Sequence, residues 1–391
     1  MKKVKIGNIA KIFNGYAFKS TEYSDDGFQV IRITNVQNGY ISNDNQKYIK
    51  LNNKSLERFI LKDGDILISL TGNVGRVGQM GKENLPAVLN QRVGKVVIQS
   101  KEVFPAYLFH ILKSGVIESE LIEKAKGIAQ KNIGSLDIEN IEIPLPSLED
   151  QKRIVKILDE ADALRQKRKQ AIGLLDDYLK SVFLEMFGDV VDNSMKWDVK
   201  KIKDLCDVGS SKRVFLNELK NSGIPFYRGT EIGKISCGKS IKPTLFITDK
   251  HYQELKQHTG IPVIGDLLMP SICPDGRIWL VDTKEPFYFK DGRVLWIHMK
   301  EKTLNSIFLK NFLREKFRKD YKSIASGTTF AELKIFALKG LNIILPPIDL
   351  QVKFSEIVQK TETLKKAMLV QSAELENQFQ ALMQKAFKGE L

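Results

Sequence analysis

Cysteine is scarce here: three residues, Cys206, Cys237 and Cys273, odd in number and far apart. That spacing excludes a disulfide framework and the paired ligands of a zinc site, and it fits a reducing compartment. Histidine is almost as rare. His110, His251, His258 and His298 are scattered, with neither a metal-ligand spacing nor a nucleophile–base pairing among them; His110 and His298 read as ordinary structural residues. No catalytic, metal or cofactor site is therefore expected. No apolar run approaches the ~20 residues of a membrane span, and no basic amphipathic segment offers a Trp or Phe face to a bilayer. The opening Met1-Lys2-Lys3-Val4-Lys5-Ile6-Gly7 turns polar before an apolar signal core can form. A cytoplasmic protein without a membrane partner is expected.

What is present is a chain of 391 residues, 42% hydrophobic and 28% charged. That is enough for two or three domains with real cores. The formal net charge of +14 points to an anionic partner, because neutralising phosphates and releasing their counterions is favourable.

A repeat decides the architecture. Ile141-Glu-Ile143-Pro144-Leu145-Pro146-Ser-Leu148-Glu149-Asp-Gln151 matches Leu341-Asn-Ile343-Ile-Leu345-Pro346-Pro-Ile348-Asp349-Leu-Gln351 at an offset of 200 residues, and the match continues without a gap to Phe187 and Phe387. Upstream the likeness is looser. Gly64-Asp65-Ile66-Leu67 pairs with Gly265-Asp266-Leu267-Leu268, Arg92-Val93 with Arg293-Val294, and Arg32 with Arg228. Each half is thus a variable domain and a long helix, with boundaries at 1–146, 147–190, 191–346 and 347–391.

Short runs rich in β-formers (Gly64–Leu70, Gly94–Ile98, Gly276–Asp282, Arg293–Met299) predict strands between Gly, Asn and Asp turns. Helices are expected at Pro105–Lys126 and Asn305–Ala325, with Gly127 and Gly327 as left-handed caps. A strand through Leu136, Ile138, Ile141 and Ile143 should follow. The fold class is α+β (α/β mixed). From Glu149 onward, heptad spacing marks Ile154, Ile157, Leu164, Leu175 and Val182, and in the second copy Phe354, Ile357, Leu364, Leu375 and Leu382. Two such stripes in one chain can cover each other as an antiparallel coiled coil, making two pseudo-symmetric domains. At 1.5 Å per residue, about 35–38 helical residues span roughly 50–57 Å, about one to one and a half turns of B-DNA. A split, asymmetric DNA target is the expectation.

This organisation resembles the specificity (S) subunit of type I restriction-modification systems. The doubled helix entry, Pro146 to Gln151 and Pro346 to Gln351, is its most specific element, and the resemblance covers essentially the whole chain. It implies two target recognition domains, each reading half of a bipartite site in double-stranded DNA, and helices that act as spacer and dock two methyltransferase (M) subunits. Those partners would bring S-adenosylmethionine and methylate adenine at N6. ATP- and Mg-dependent restriction (R) subunits are a further implied partner, while this chain holds no cofactor. A type IIB-like enzyme, whose single partner both methylates and cuts, is the alternative arrangement. The halves depart at Gly209-Ser-Ser-Lys-Arg against Asn14-Gly15-Tyr16, so the entry loops cannot be equated.

Rival readings are weaker. Gly233-Lys-Ile-Ser-Cys-Gly238-Lys239-Ser240 fits the P-loop pattern, but Pro243 falls in the first turn of the required helix and Thr244–Thr248 reads as strand; in the first copy the region corresponds to a plain turn near Asn38-Gly39. A catalytic methyltransferase would need an Asp/Asn-Pro-Pro-aromatic loop, whereas Pro346-Pro347 enters a helix. Asp63, Asp65 and Asp266 suit turns better than a nuclease site. A coiled-coil scaffold unrelated to nucleic acid is opposed only by the charge. DNA contacts are expected from polar and basic side chains on glycine-bearing loops: Ser69, Thr71, Asn73, Arg76 and their counterparts Ser271 and Arg277. To these are added Arg32 and Arg228, Gln91, Arg92 and Arg293, and Lys19, Lys212 and Arg213 near the entry loops.

Overall fold

The computed structural model describes residues 2–51, 54–127, 131–300, 302–327 and 331–391. They form two compact units, Met1–Gln170 with Val370–Leu391, and Ala171–Leu369. Each unit contains one variable domain, the start of one long helix and the end of the other.

In the first unit a four-stranded antiparallel sheet has the order Ala10–Asn14, Val93–Ile98, Ile66–Ser69, Val77–Gln79. A second sheet joins Tyr48–Ile49, Phe28–Ile31 and Ala87–Leu89, the last two in parallel. The second unit repeats both. Its large sheet runs Cys206–Gly209, Val294–Met299, Leu267–Pro270, Trp279–Leu280, and its small one Phe246–Ile247, Ile224–Tyr227, Tyr288–Phe289. Mixed sheets flanked by helices bear out the α+β class. The strands expected at Gly64–Leu70, Gly276–Asp282 and Arg293–Met299 occur but are shorter, the flanking residues forming the turns, while the one expected at Gly94–Ile98 begins a residue earlier, at Val93.

Of the helices following the sheets, the second fits the expectation and the first does not. The first is broken into Pro105–Leu112 and Gly115–Lys124, with Ser114 capping the second piece by accepting from Ile117 N–H. Its counterpart Ser306–Ile324 is continuous except for non-helical angles at Asp320. Gly127 and Gly327 do have positive φ, +115° and +117°, but they lie beyond the extended cap residues Ala125 and Ala325. The adjoining residues form the bridges Lys126–Asn132 and Ser326–Glu332, so the glycines shape a loop and do not cap a helix. The expected strand through Leu136 and Ile138 is a short helix, Ser135–Glu139, before the strand Glu142–Pro144. Four alternating apolar residues were too few to separate the two periods.

Both ends of each variable domain are tied together. Lys3–Lys5 pairs antiparallel with Glu142–Pro144, and Val199–Lys201 with Asn342–Ile344. Immediately afterwards the long helices begin, Leu148–Phe187 and Ile348–Lys388. The repeated glutamine explains the entry motif. Buried Gln151 donates through Nε2 to the carbonyls of Glu102 (2.8 Å) and Pro146 (3.0 Å) and accepts from Phe104 N–H at 2.8 Å. Buried Gln351 does the same with Thr303 (3.1 Å), Pro346 (2.7 Å) and Asn305 N–H (2.9 Å).

Within each unit the two helix segments run antiparallel. In the first, Ile154, Val155 and Leu158 share a core with Phe379, Met383 and Ala386. In the second, Phe183 and Phe187 pack with Phe354 and Phe308, ring centroids 4.7–6.0 Å apart. Arg165 pairs with Glu376 at 2.5 Å in the first unit and Lys365 with Asp176 at 2.6 Å in the second, ion pairs related by the same offset of 200. Of the predicted stripe, Ile154 and Phe354 are buried, and Ile157, Leu175, Val182, Ile357, Leu375 and Leu382 are half-buried. Leu164 and Leu364 are corrected: they are 56% and 51% exposed, because Arg165 and Lys365 occupy the seam instead.

Candidate nucleic-acid interface

In the large sheet of the first unit, register places Asn14 opposite Gly94, Ile68 opposite both Gly94 and Val77, and Ser69 opposite Val93. One end of the sheet therefore gathers three loops: residues 14–19, the Thr71–Arg76 turn, and Asn90-Gln91-Arg92. A fourth segment joins them, since Thr71 bridges Asn132 and Gly72 N–H donates to Lys131 O at 2.9 Å. Thus Thr71, Asn73, Arg76, Gln91, Arg92 and Lys19, scattered over 74 positions of sequence (19 to 92), meet at one edge. Arg92, Gln91, Asn73 and Lys19 are exposed, while Thr71 and Arg76 are half-buried. Arg76 Nη1 donates to Gln37 Oε1 at 3.1 Å.

The second unit collects its candidates at the same sheet end. Gly209 lies opposite Trp296, Leu268 opposite Trp296 and Trp279, and Pro270 opposite Val294, which brings Lys212, Arg213, Arg277 and Arg293 to neighbouring loops. Lys212, Arg213 and Arg293 are exposed; the Arg213 guanidinium lies 5.4 Å from the Phe215 ring centroid.

Four candidates have other work. Ser69 is fully buried at 0% exposure and its Oγ donates to Asn73 O at 2.5 Å; Ser271 is also buried. Both shape the turn from beneath and are corrected from contact residues to structural ones. Half-buried Arg32 donates from Nη2 to Asn45 O at 2.5 Å, bracing its loop. Arg228 grips Glu231 with two bonds, 3.1 Å and 2.8 Å. Burial opposes ionisation of Glu231, yet hydrogen bonds from Arg228 and Thr230 prevail and hold its carboxyl at about 2.

The two faces differ electrostatically. In the second unit Arg277 pairs with Asp275 (2.8 Å) and Arg293 with Glu332 (3.3 Å). Among the described residues no such ion pair engages Arg76 or Arg92. The contrast is between Arg76 and Arg92 on the first face and the carboxylate-held Arg277 and Arg293 on the second, whose Lys212 and Arg213 engage in no ion pair among the described residues.

The P-loop pattern is not built as a phosphate cradle. A helix, Gly229–Ser236, occupies its first half, and the strand Phe246–Ile247 follows. The first copy has only a turn there, so the equivalence with Asn38-Gly39 does not extend to the helix. Asp65 and Asp266 are turn residues. Asp65 pairs with Lys95 at 2.6 Å, and Asp266 accepts from Trp296 Nε1 (2.7 Å) and His298 Nδ1 (2.8 Å). All three cysteines are free.

Sequence reasoning missed Phe13, Tyr16, Arg58 and Phe59, which with Lys19 and Gln91 line a cleft of about 520 Å³ beside the first face. Alternating aromatics around Gly15 were the available signal. Arg58 and Phe59 come from a distant helical turn that sequence spacing could not connect.

Comparison with known proteins gives a consistent result. The family described as the type I restriction modification DNA specificity domain matches twice, at residues 1–174 and 195–376. The type I restriction enzyme MjaVIII specificity subunit of Methanocaldococcus jannaschii is 25% identical, over 99% of this chain and 92% of its own length. A putative type I restriction enzyme specificity subunit of Haemophilus influenzae is 27% identical over 78% of this chain and 74% of its own. In fold, the type I S subunit of M. genitalium superposes with a TM-score of 0.55 at 15% identity, covering 99% of this chain and 96% of that one.

Proposed function

Because the chain belongs to the type I restriction modification DNA specificity family, we propose that each unit reads one half of a split, asymmetric site in double-stranded DNA. The observation that carries this is the pair of equivalent sheet ends, built alike and furnished with different polar and basic loops. Equivalent scaffolds hold the readers; unlike loops give unlike half-sites. The relatives compared are type I specificity subunits, which favours that system over the type IIB-like arrangement.

In this reading the long helices, 40 and 41 residues or about 60 Å each, set the number of unread bases between half-sites and dock two methyltransferase subunits. S-adenosylmethionine would enter with those subunits for adenine-N6 methylation, and ATP and Mg with restriction subunits. The chain itself selects the site and performs no chemistry, acting in the cytoplasm where foreign DNA arrives. No described helix is long and apolar enough to cross a membrane.

Methylome sequencing of cells carrying this chain with its partner methyltransferase tests the reading, and two short motifs separated by unspecified bases are expected. One uninterrupted motif would sink it. Arg76→Ala should relax methylation at one half-site and Arg277→Ala at the other, each by roughly 1–3 kcal/mol of discrimination if the side chain reads a base. Loss at the same half-site in both variants contradicts the assignment.

A further inference from the structure

The loop that lines the cleft beside the first face, residues 14–19, is built differently from its counterpart in the second unit. Phe13 and Tyr16 are 37% and 38% exposed, and both lean on Phe59, with ring centroids at 5.7 Å and 5.6 Å. The Arg58 guanidinium lies 4.7 Å from the Phe59 ring centroid. Lys19 and Gln91 add polar groups to the lining, which contains no carboxylate. Its volume of about 520 Å³ falls within the roughly 300–1,000 Å³ of small-ligand sites.

The cleft is also held in shape. Tyr16 N–H donates to Leu89 O at 2.9 Å, and Gln91 N–H to Tyr16 O at 2.9 Å. Gly15 allows this approach, since a Cβ there would lie 2.3 Å from Leu89 O. At the corresponding place in the second unit, Ser210 and Ser211 donate to the carbonyls of Val294 (2.7 Å) and Phe289 (2.6 Å). That loop is fastened down at its start, and its exposed ring, Phe215, lies at the far end beside Arg213.

Aromatic faces, a guanidinium plane, an ammonium and an amide are what an unstacked nucleobase with its phosphate requires: π-faces to stack on, cations for the phosphate, and a donor–acceptor for the base edge. A paired base inside a duplex offers no face to such a cleft. We propose that this cleft is a nucleobase-stacking pocket that takes one unpaired base, with Tyr16 as the principal stacking surface and Lys19 and Arg58 facing the phosphate. It rests on the first unit being a DNA reader. The base comes either from a locally opened strand or from a free nucleotide.

The full chain is titrated against three probes: a single-stranded oligothymidylate carrying one central 2-aminopurine, the same strand in duplex, and free 2-aminopurine deoxynucleoside monophosphate. Stacking should quench the single-stranded probe. Tyr16→Ala should weaken that binding roughly five- to 150-fold, while Tyr16→Phe preserves it. Tyr16→Leu, which keeps bulk without a π-face, serves if the alanine variant folds poorly, and should lose quenching likewise. Equal quenching of the free nucleotide supports the pocket and assigns it to nucleotides; quenching confined to the strand assigns it to opened DNA. Unchanged fluorescence in a chain that still retards duplex overturns the pocket and leaves the DNA reading standing. Binding of neither duplex nor strand overturns both.

Discussion

Gln151 and Gln351 carry an amide with two donors and an acceptor, and in each unit all three functions meet backbone groups. Removing a buried partner leaves each of those groups desolvated at about 1–3 kcal/mol apiece. Gln151→Ala should therefore lower the stability of the first unit by about 3 kcal/mol, and Gln351→Ala the second by a similar amount, read by denaturant titration. The motif was visible in the sequence; its purpose was not, because the carbonyls of Glu102 and Thr303 lie 49 and 48 residues upstream. Ionic pairing at the loops was equally hidden. Arg92 and Arg293 look alike as sequence, yet only Arg293 meets a glutamate. If both contact phosphates, Arg92→Ala should reduce the salt dependence of DNA binding by a slope of about one. Arg293→Ala should reduce it less, because Glu332 already offsets its charge. Identical slopes would show the ion pair to be irrelevant.

The long helices were legible as elements from their heptads, but not in their detailed facing. A straight helix drifts against a strict seven-residue repeat, so the buried run Ile154, Val155, Leu158 arrives at Arg165 and leaves Leu164 outside. Helix docking in the first unit also has a titrating contact. Buried His110 lies 2.7 Å from Asp159 of the first long helix. Burial and Lys113 lower its pKa, against the opposing pull of Asp159. A histidine whose folded pKa is depressed binds protons more readily unfolded. Its contribution is thus fully present above about 6.5 and lost as pH falls below that value. The thermal midpoint of the first unit should decline as pH falls below about 6.5, and His110→Gln should flatten that decline. An unchanged slope in the variant would assign the acid sensitivity to other groups.

For the whole molecule, duplication was readable because the helix entries repeat without gaps, whereas the helices Gly229–Ser236 and Asp249–Thr259 of the second domain, the latter standing where the first has the short helical turn Lys54–Phe59, arise in loops whose sequences share no register. If the rods set the gap, inserting seven residues at matched points of both should lengthen each by about 10 Å, or roughly three base pairs at 3.4 Å per step. Methylome motifs should widen accordingly, with both half-sites unchanged. A fixed gap would mean that something other than helix length governs it.

The paired end strands, Lys3–Lys5 with Glu142–Pro144 and Val199–Lys201 with Asn342–Ile344, make each variable domain a plug whose two leads emerge side by side. Insertions with adjacent termini disturb their host little. A foreign domain ending in the same strands and offering carbonyls to the waiting glutamine could be exchanged whole. A cell could then acquire a new half-specificity by one recombination event, without redesigning the rods or whatever grips them.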